Sequence, residues 1–104
     1  MPASLTEKEF SQHVNTKFRA KLEDGGSVDL ELVEVKGYMS KPEEQSGMER
    51  FSAFFQGPTE TRLTQKTYTL NHDRMGEFEI FLVPIGPSTQ GVRYEAVFNY
   101  FKNQ

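Results

Sequence analysis

The sequence predicts a mainly β fold of the α+β kind. About six antiparallel strands roll into a small open barrel, and one short N-terminal helix covers one end or flank. Three observations carry this expectation. A helix-capping signature stands at the start of the chain, apolar and polar residues then alternate with period two in segment after segment, and breaks rich in Gly, Asp and Pro separate those segments.

The helix is read first. Thr6 stands at an N-cap with Glu9 three residues on, Leu5 and Phe10 sit where a hydrophobic staple places them, and Phe10 and Val14 lie four apart on one face. The pattern ends near Asn15. From Lys17 the period changes: Phe18, Ala20 and Leu22 alternate with Lys17, Arg19 and Lys21, and Val28, Leu30 and Leu32 alternate with Asp29 and Glu31. Glu23-Asp24-Gly25-Gly26 between them reads as a hairpin connection. Two registers keep the faces matched. One sets Lys21 against Asp29 and Arg19 against Glu31; the other sets Arg19 against Asp29 and Lys17 against Glu31.

Residues 37–50 carry Pro42, Gly47 and a polar run without periodicity, which reads as a long surface loop and the best candidate for disorder. Phe51, Ala53 and Phe55 alternate up to Gly57-Pro58, and Tyr68 and Leu70 alternate with Thr67, Thr69 and Asn71. His72-Asp73-Arg74-Met75-Gly76 then turns the chain into residues 77–83, where Phe78, Ile80 and Leu82 face one way. Pro84 has no amide to give a ladder, so the strand ends there or lies on an edge. A loop over 86–91 leads to a last strand over 93–101, with Tyr94, Ala96, Phe98 and Tyr100 facing inward. Val33 and Val35, and later Phe81, Val83 and Ile85, make two strands apolar on both faces. The helix is the cover expected for those stretches.

Composition bounds the function. At 104 residues the chain, 1–104, is read as a single domain, and its nine Phe and four Tyr supply most of the bulky apolar area. Fifteen acidic against twelve basic residues give a net charge of −3, with no Lys/Arg cluster to neutralise phosphates, so no nucleic-acid partner is expected. The absence of Cys excludes disulfides and thiolate chemistry. No apolar stretch is of bilayer-spanning length and residues 1–6 lack a leader's pattern; the expectation is a cytoplasmic protein without membrane contact.

Several segments together resemble a known family: residues 51–57, the run Thr67 to His72, the run Phe81 to Pro87, and Arg93 to Asn99, with Asp24 to Val35 and Leu5 and Phe10 in matching places. The family is an uncharacterised one of small bacterial proteins, a domain of unknown function. The resemblance covers nearly the whole chain and departs mainly between Gly37 and Arg50. It implies a bacterial source and genes often beside phage-tail or tail-collar-like proteins. It supplies no catalytic residues.

Chemistry-bearing patterns are sparse. His13 and His72 stand in no two-His metal spacing, and no nucleophile elbow, phosphate loop or dinucleotide fingerprint occurs. Asp29, Glu31, Glu77 and Glu79 fall on the outward half of strand alternations, which reads as a solvated face. The group His72-Asp73-Arg74 is a polar turn whose neighbours point apart. No enzyme, cofactor or metal is expected. Candidate interaction residues are Phe54 and Phe55, adjacent and therefore on opposite faces of a strand, Phe101 near the C-terminus, and His72 and Arg74 in the turn. The expected function is a non-enzymatic interaction or assembly accessory, possibly within phage-tail-like machinery, that binds an unidentified protein partner or itself. The alternative is a small barrel holding an apolar ligand.

Overall fold

The computed structural model describes residues 5–37, 48–88 and 91–101. One helix, α1 (Glu7–Ser11), precedes six strands: β1 (Lys17–Lys21), β2 (Ser27–Gly37), β3 (Met48–Gly57), β4 (Lys66–His72), β5 (Gly76–Ser88) and β6 (Gly91–Phe101). All neighbours are antiparallel, in the order β1-β2-β3-β6-β5-β4, and the sheet closes on itself. The mainly β barrel with a short N-terminal helix is therefore the fold. Where the expectation left the barrel open, β1 reaches β4 through two rungs, Arg19 with Asn71 and Ala20 with Leu70.

Local chemistry explains the boundaries. The Glu9 amide donates to Thr6 Oγ1 at 3.1 Å, which caps the helix. Asn15 takes a positive φ of 74°, and its amide donates to the Leu32 carbonyl at 2.6 Å, so the chain leaves the helix already tied to β2. In the β1–β2 turn, Gly25 supplies a φ of 93° and Asp24 Oδ1 accepts from the Gly26 amide at 2.8 Å. The register sets Arg19 against Asp29 and Lys17 against Glu31, resolving the two predicted alternatives.

Side chains fill the barrel. Phe18, Leu30, Leu32, Phe51, Phe55, Leu70, Leu82, Val92 and Tyr94 are fully enclosed. Phe10 of α1 plugs one end, its ring centroid 5.4–6.2 Å from those of Phe18, Phe51, Phe78 and Phe98. At the opposite end the connection from β3 to β4 folds inward. Leu63 is buried there, its amide donating to Tyr94 Oη at 2.8 Å, while Tyr68 Oη donates to the Thr64 carbonyl at 2.8 Å.

Four expectations are corrected. Val33 sits at a shift of register between Leu32 and Glu34, so the apolar run in β2 marks a bulge that resets the alternation, and the helix need not cover both faces. Phe81 and Ile85 are 49% and 43% exposed, so α1 does not cover β5 either; it plugs an end. Gly37 belongs to β2 and 48–50 to β3, so both ends of the predicted 37–50 loop are strand; the rest of that prediction, 38–47, lies outside the described residues. β5 runs through Pro84 to Ser88 and β6 starts at Gly91, so both ends of the predicted 86–91 loop are strand, while 89–90 lie outside the described residues. Proline is tolerated because the β4 ladder has ended at Leu82 and β5 has passed to β6, from Val83 paired with Glu95. At Pro84 one side of β5 is a local edge, as expected.

Candidate functional site

Two places gather the residues singled out from the sequence. The first is a shallow polar groove at the helix end, lined by Gln12, His13, Thr16, Lys17 and the turn His72 to Arg74. The second is the outer face of β3, β6 and β5.

His72 is the centre of the groove. It extends the inward alternation of Tyr68 and Leu70, so it is only 6% exposed, whereas Asp73 and Arg74 after it are exposed. The expected water-facing turn therefore holds for its neighbours and fails for His72 itself. Its ring lies 4.3 Å from Phe18 and 4.7 Å from His13, centroid to centroid. Nδ1 accepts from the Arg74 amide at 3.0 Å and the Met75 amide at 3.1 Å, so that nitrogen carries no proton. The proton sits on Nε2, which donates to Thr16 Oγ1 at 2.9 Å, and Thr16 Oγ1 donates onward to the His13 carbonyl at 2.6 Å. Burial, followed by the neighbouring His13, lowers the His72 pKa, Arg74 adds to the shift, and Asp73 and Glu9 oppose it. Both ring nitrogens are thereby committed to holding the β4–β5 turn and the exit of the helix. A general base needs a free lone pair facing substrate, and His72 has none.

His13 faces Glu9, Nε2 to Oε2 at 3.5 Å, one turn back along the helix. Thr16, missed from the sequence, links the two histidine-bearing segments; a lone Thr between a helix and a strand gives no pattern to read. Among the described residues, no group of three or more His, Asp or Glu could hold a metal ion, and no helix is long and apolar enough to cross a membrane.

The outer face is different in kind. Phe55 points into the barrel and is fully enclosed, so it cannot meet a partner. Phe54 points outward, half-buried under the Arg93 guanidinium, whose carbon lies 4.8 Å from the ring centroid; Arg93 Nη2 donates to Glu34 Oε1 at 2.7 Å. Beside it Ser52 Oγ donates to Glu95 Oε2 at 2.6 Å. Beyond this polar band large apolar side chains stand out: Val97 is 63% exposed on β6, and Phe81 and Ile85 are exposed on β5 with Val83 between them, bordered by the exposed Glu79 and Asn99. The Phe101 backbone pairs with Met48 at the end of β6, and its side chain lies outside the described residues. Arg74 faces solvent in the turn between β4 and β5.

A family model for a domain of unknown function, DUF6916, matches residues 5–98, from just before α1 to Phe98 in β6. The chain belongs to this family. No curated protein and no solved structure matches the chain. The DUF6916 match spans α1, all of β1 to β5 and most of β6, so the plugged barrel as a whole is what the family model covers.

Proposed function

We propose that this DUF6916 domain is a non-enzymatic protein-interaction module that docks through the outer face of β5 and β6. One observation carries the reading: Phe81, Ile85 and Val97 are large apolar side chains left in solvent on adjacent strands of one wall. The outer face of β1 and β2 is solvated by charge instead, with Arg19 and Asp29 paired at 3.9 Å, and Lys21 of β1 reaches Glu77 at the start of β5 at 3.4 Å. The neutral, fully bonded state of His72 favours a structural role for the polar groove. The side chains enclosed in the barrel, Phe18, Leu30, Phe55, Leu70 and Tyr94 among them, favour this reading over the apolar-ligand alternative. The gene neighbourhood implied by the resemblance makes a phage-tail-like assembly the setting in which we place the module.

The test is a photo-crosslinking amino acid introduced at Phe81 and, as a control on the charged wall, at Arg19, in cells of the native host. A discrete protein adduct at position 81 that is missing at position 19 is expected. Equal or absent adducts at the two positions would overturn the reading.

A further inference from the structure

The ladder between β5 and β6 has its last rung at Val83 and Glu95. Below it β5 continues paired with β4 alone, from Gly76 to Leu82, and β6 continues paired with β3 alone, from Ala96 to Phe101. Toward the helix end the barrel wall is therefore split, and Phe10 spans the split from inside, 5.9 Å from Phe78 on β5 and 5.4 Å from Phe98 on β6. Among the described residues no strand is paired with this edge of β6 beyond Glu95, although β5 lies across the split from it.

Natural sheets protect such edges with proline, lysine, a bulge or an inward charge. β5 follows the rule where it outruns β4, with Pro84 and Pro87 in the stretch. β6 does not. Its pairing with β3 runs from Gly57 with Val92 to Met48 with Phe101 without a bulge, and the edge segment reads Ala96-Val97-Phe98-Asn99-Tyr100-Phe101, uncharged and free of Pro and Gly. The segment is also held rigid, because Phe98 stacks on Phe51 at 4.5 Å and 9°. Among the described residues this is an uncharged edge with high β-propensity and no paired strand, which suits main-chain pairing.

We propose that this edge of β6 pairs antiparallel with the same edge of a second copy of the chain, joining two barrels through a continuous sheet. The proposal rests on the interaction reading above and names its partner. The segment suits itself: a twofold axis through Phe98 sets Ala96 against Tyr100 and Val97 against Asn99, so no charged residue faces another across the new ladder. Val97 and Asn99 both point outward and are exposed, so changing them leaves the core untouched.

Sedimentation equilibrium of three proteins tests the pairing. The unaltered chain is expected to dimerise. Val97→Lys with Asn99→Lys sets lysine against lysine twice and is expected to weaken the dimer about tenfold or more. Val97→Lys with Asn99→Glu sets lysine against glutamate across the same axis and is expected to restore it. Circular dichroism and urea midpoints of the two variants, taken at concentrations where both are monomers, check that each folds. A monomeric unaltered chain, a lysine pair that dimerises normally, or a lysine–glutamate pair as weak as the lysine pair would each overturn the proposal. An adduct to a different protein at position 81 alongside a monomeric chain would defeat the dimer and leave the interaction reading standing. No adduct and no dimer would defeat both.

Discussion

The two ends of the barrel are closed by opposite means. At the helix end the plug is hydrocarbon: Phe10 inserts among four other phenylalanines, and its contribution comes from buried area and ring packing. At the other end the plug is a loop whose backbone is bonded to tyrosine hydroxyls, Leu63 to Tyr94 and Thr64 to Tyr68. At the helix end the amides of α1 find partners outside the barrel, Glu9 at Thr6 Oγ1 and Phe10 at the Thr6 carbonyl, so Phe10 can seal the barrel with an apolar face alone. A loop brings unsatisfied amides and carbonyls with it and needs polar tips waiting inside. Phenylalanine at one end and tyrosine at the other follow from that difference.

The comparison is broken most severely by Phe10→Ala, which removes the plug and leaves a cavity among aromatic rings; a loss of about 3–5 kcal/mol is expected from urea denaturation. The His72 latch beside that plug comes next. His72→Ala leaves the Arg74 and Met75 amides without an acceptor and is expected to cost about 2–3 kcal/mol. This site also carries a pH signature. The unfolded imidazole titrates near ~6.5 and the folded one below it, so the unfolded chain binds more protons in that interval. Stability contributed by His72 is full above the unfolded value and is lost as pH falls through it toward the folded one. His72→Asn keeps a side-chain acceptor for the turn amides but cannot titrate, so the difference in unfolding free energy between the unaltered chain and the variant should shrink from pH 7 to pH 5. A difference that stays constant would place the folded pKa at its ordinary value. At the opposite end Tyr94→Phe keeps the ring and removes the acceptor for Leu63, with an expected loss of about 1–2 kcal/mol. An equal effect of Phe10→Ala and Tyr94→Phe would mean that the ends are held by the same kind of force.

Much of this was legible because it depends on local order along the chain. Thr6, Glu9, Leu5 and Phe10 mark the helix by spacing alone, and period two marks every strand. The bulge at Val33 was not legible, since one extra residue in β2 looks the same as a strand apolar on both faces until its partner β3 is known. His72 shows the limit from the other side. Extending the alternation of Tyr68 and Leu70 by two residues would have placed it inward, but Asp73-Arg74 beside it made the segment look like an exposed turn. Its partners, Thr16 and two backbone amides, follow from long-range pairing and carry no sequence pattern. Phe81, Val83 and Ile85 were legible as apolar residues on the second face of β5, but they were expected to be covered. Which of them would stay uncovered depended on where the helix docked.

The closure of the barrel through two rungs between β1 and β4 has a consequence for the order in which the molecule opens. β3 and β6 are held by ten rungs and β4 and β5 by seven, so the seam between β1 and β4 is the shortest ladder in the wall. Opening that seam frees few backbone bonds, while parting β3 from β6 amounts to global unfolding. In native-state hydrogen exchange, amides that bridge β1 and β4 should exchange through small, low-energy openings and those between β3 and β6 only with the whole fold. The barrel thus behaves less like a uniform cylinder than like a rolled sheet with a fastening.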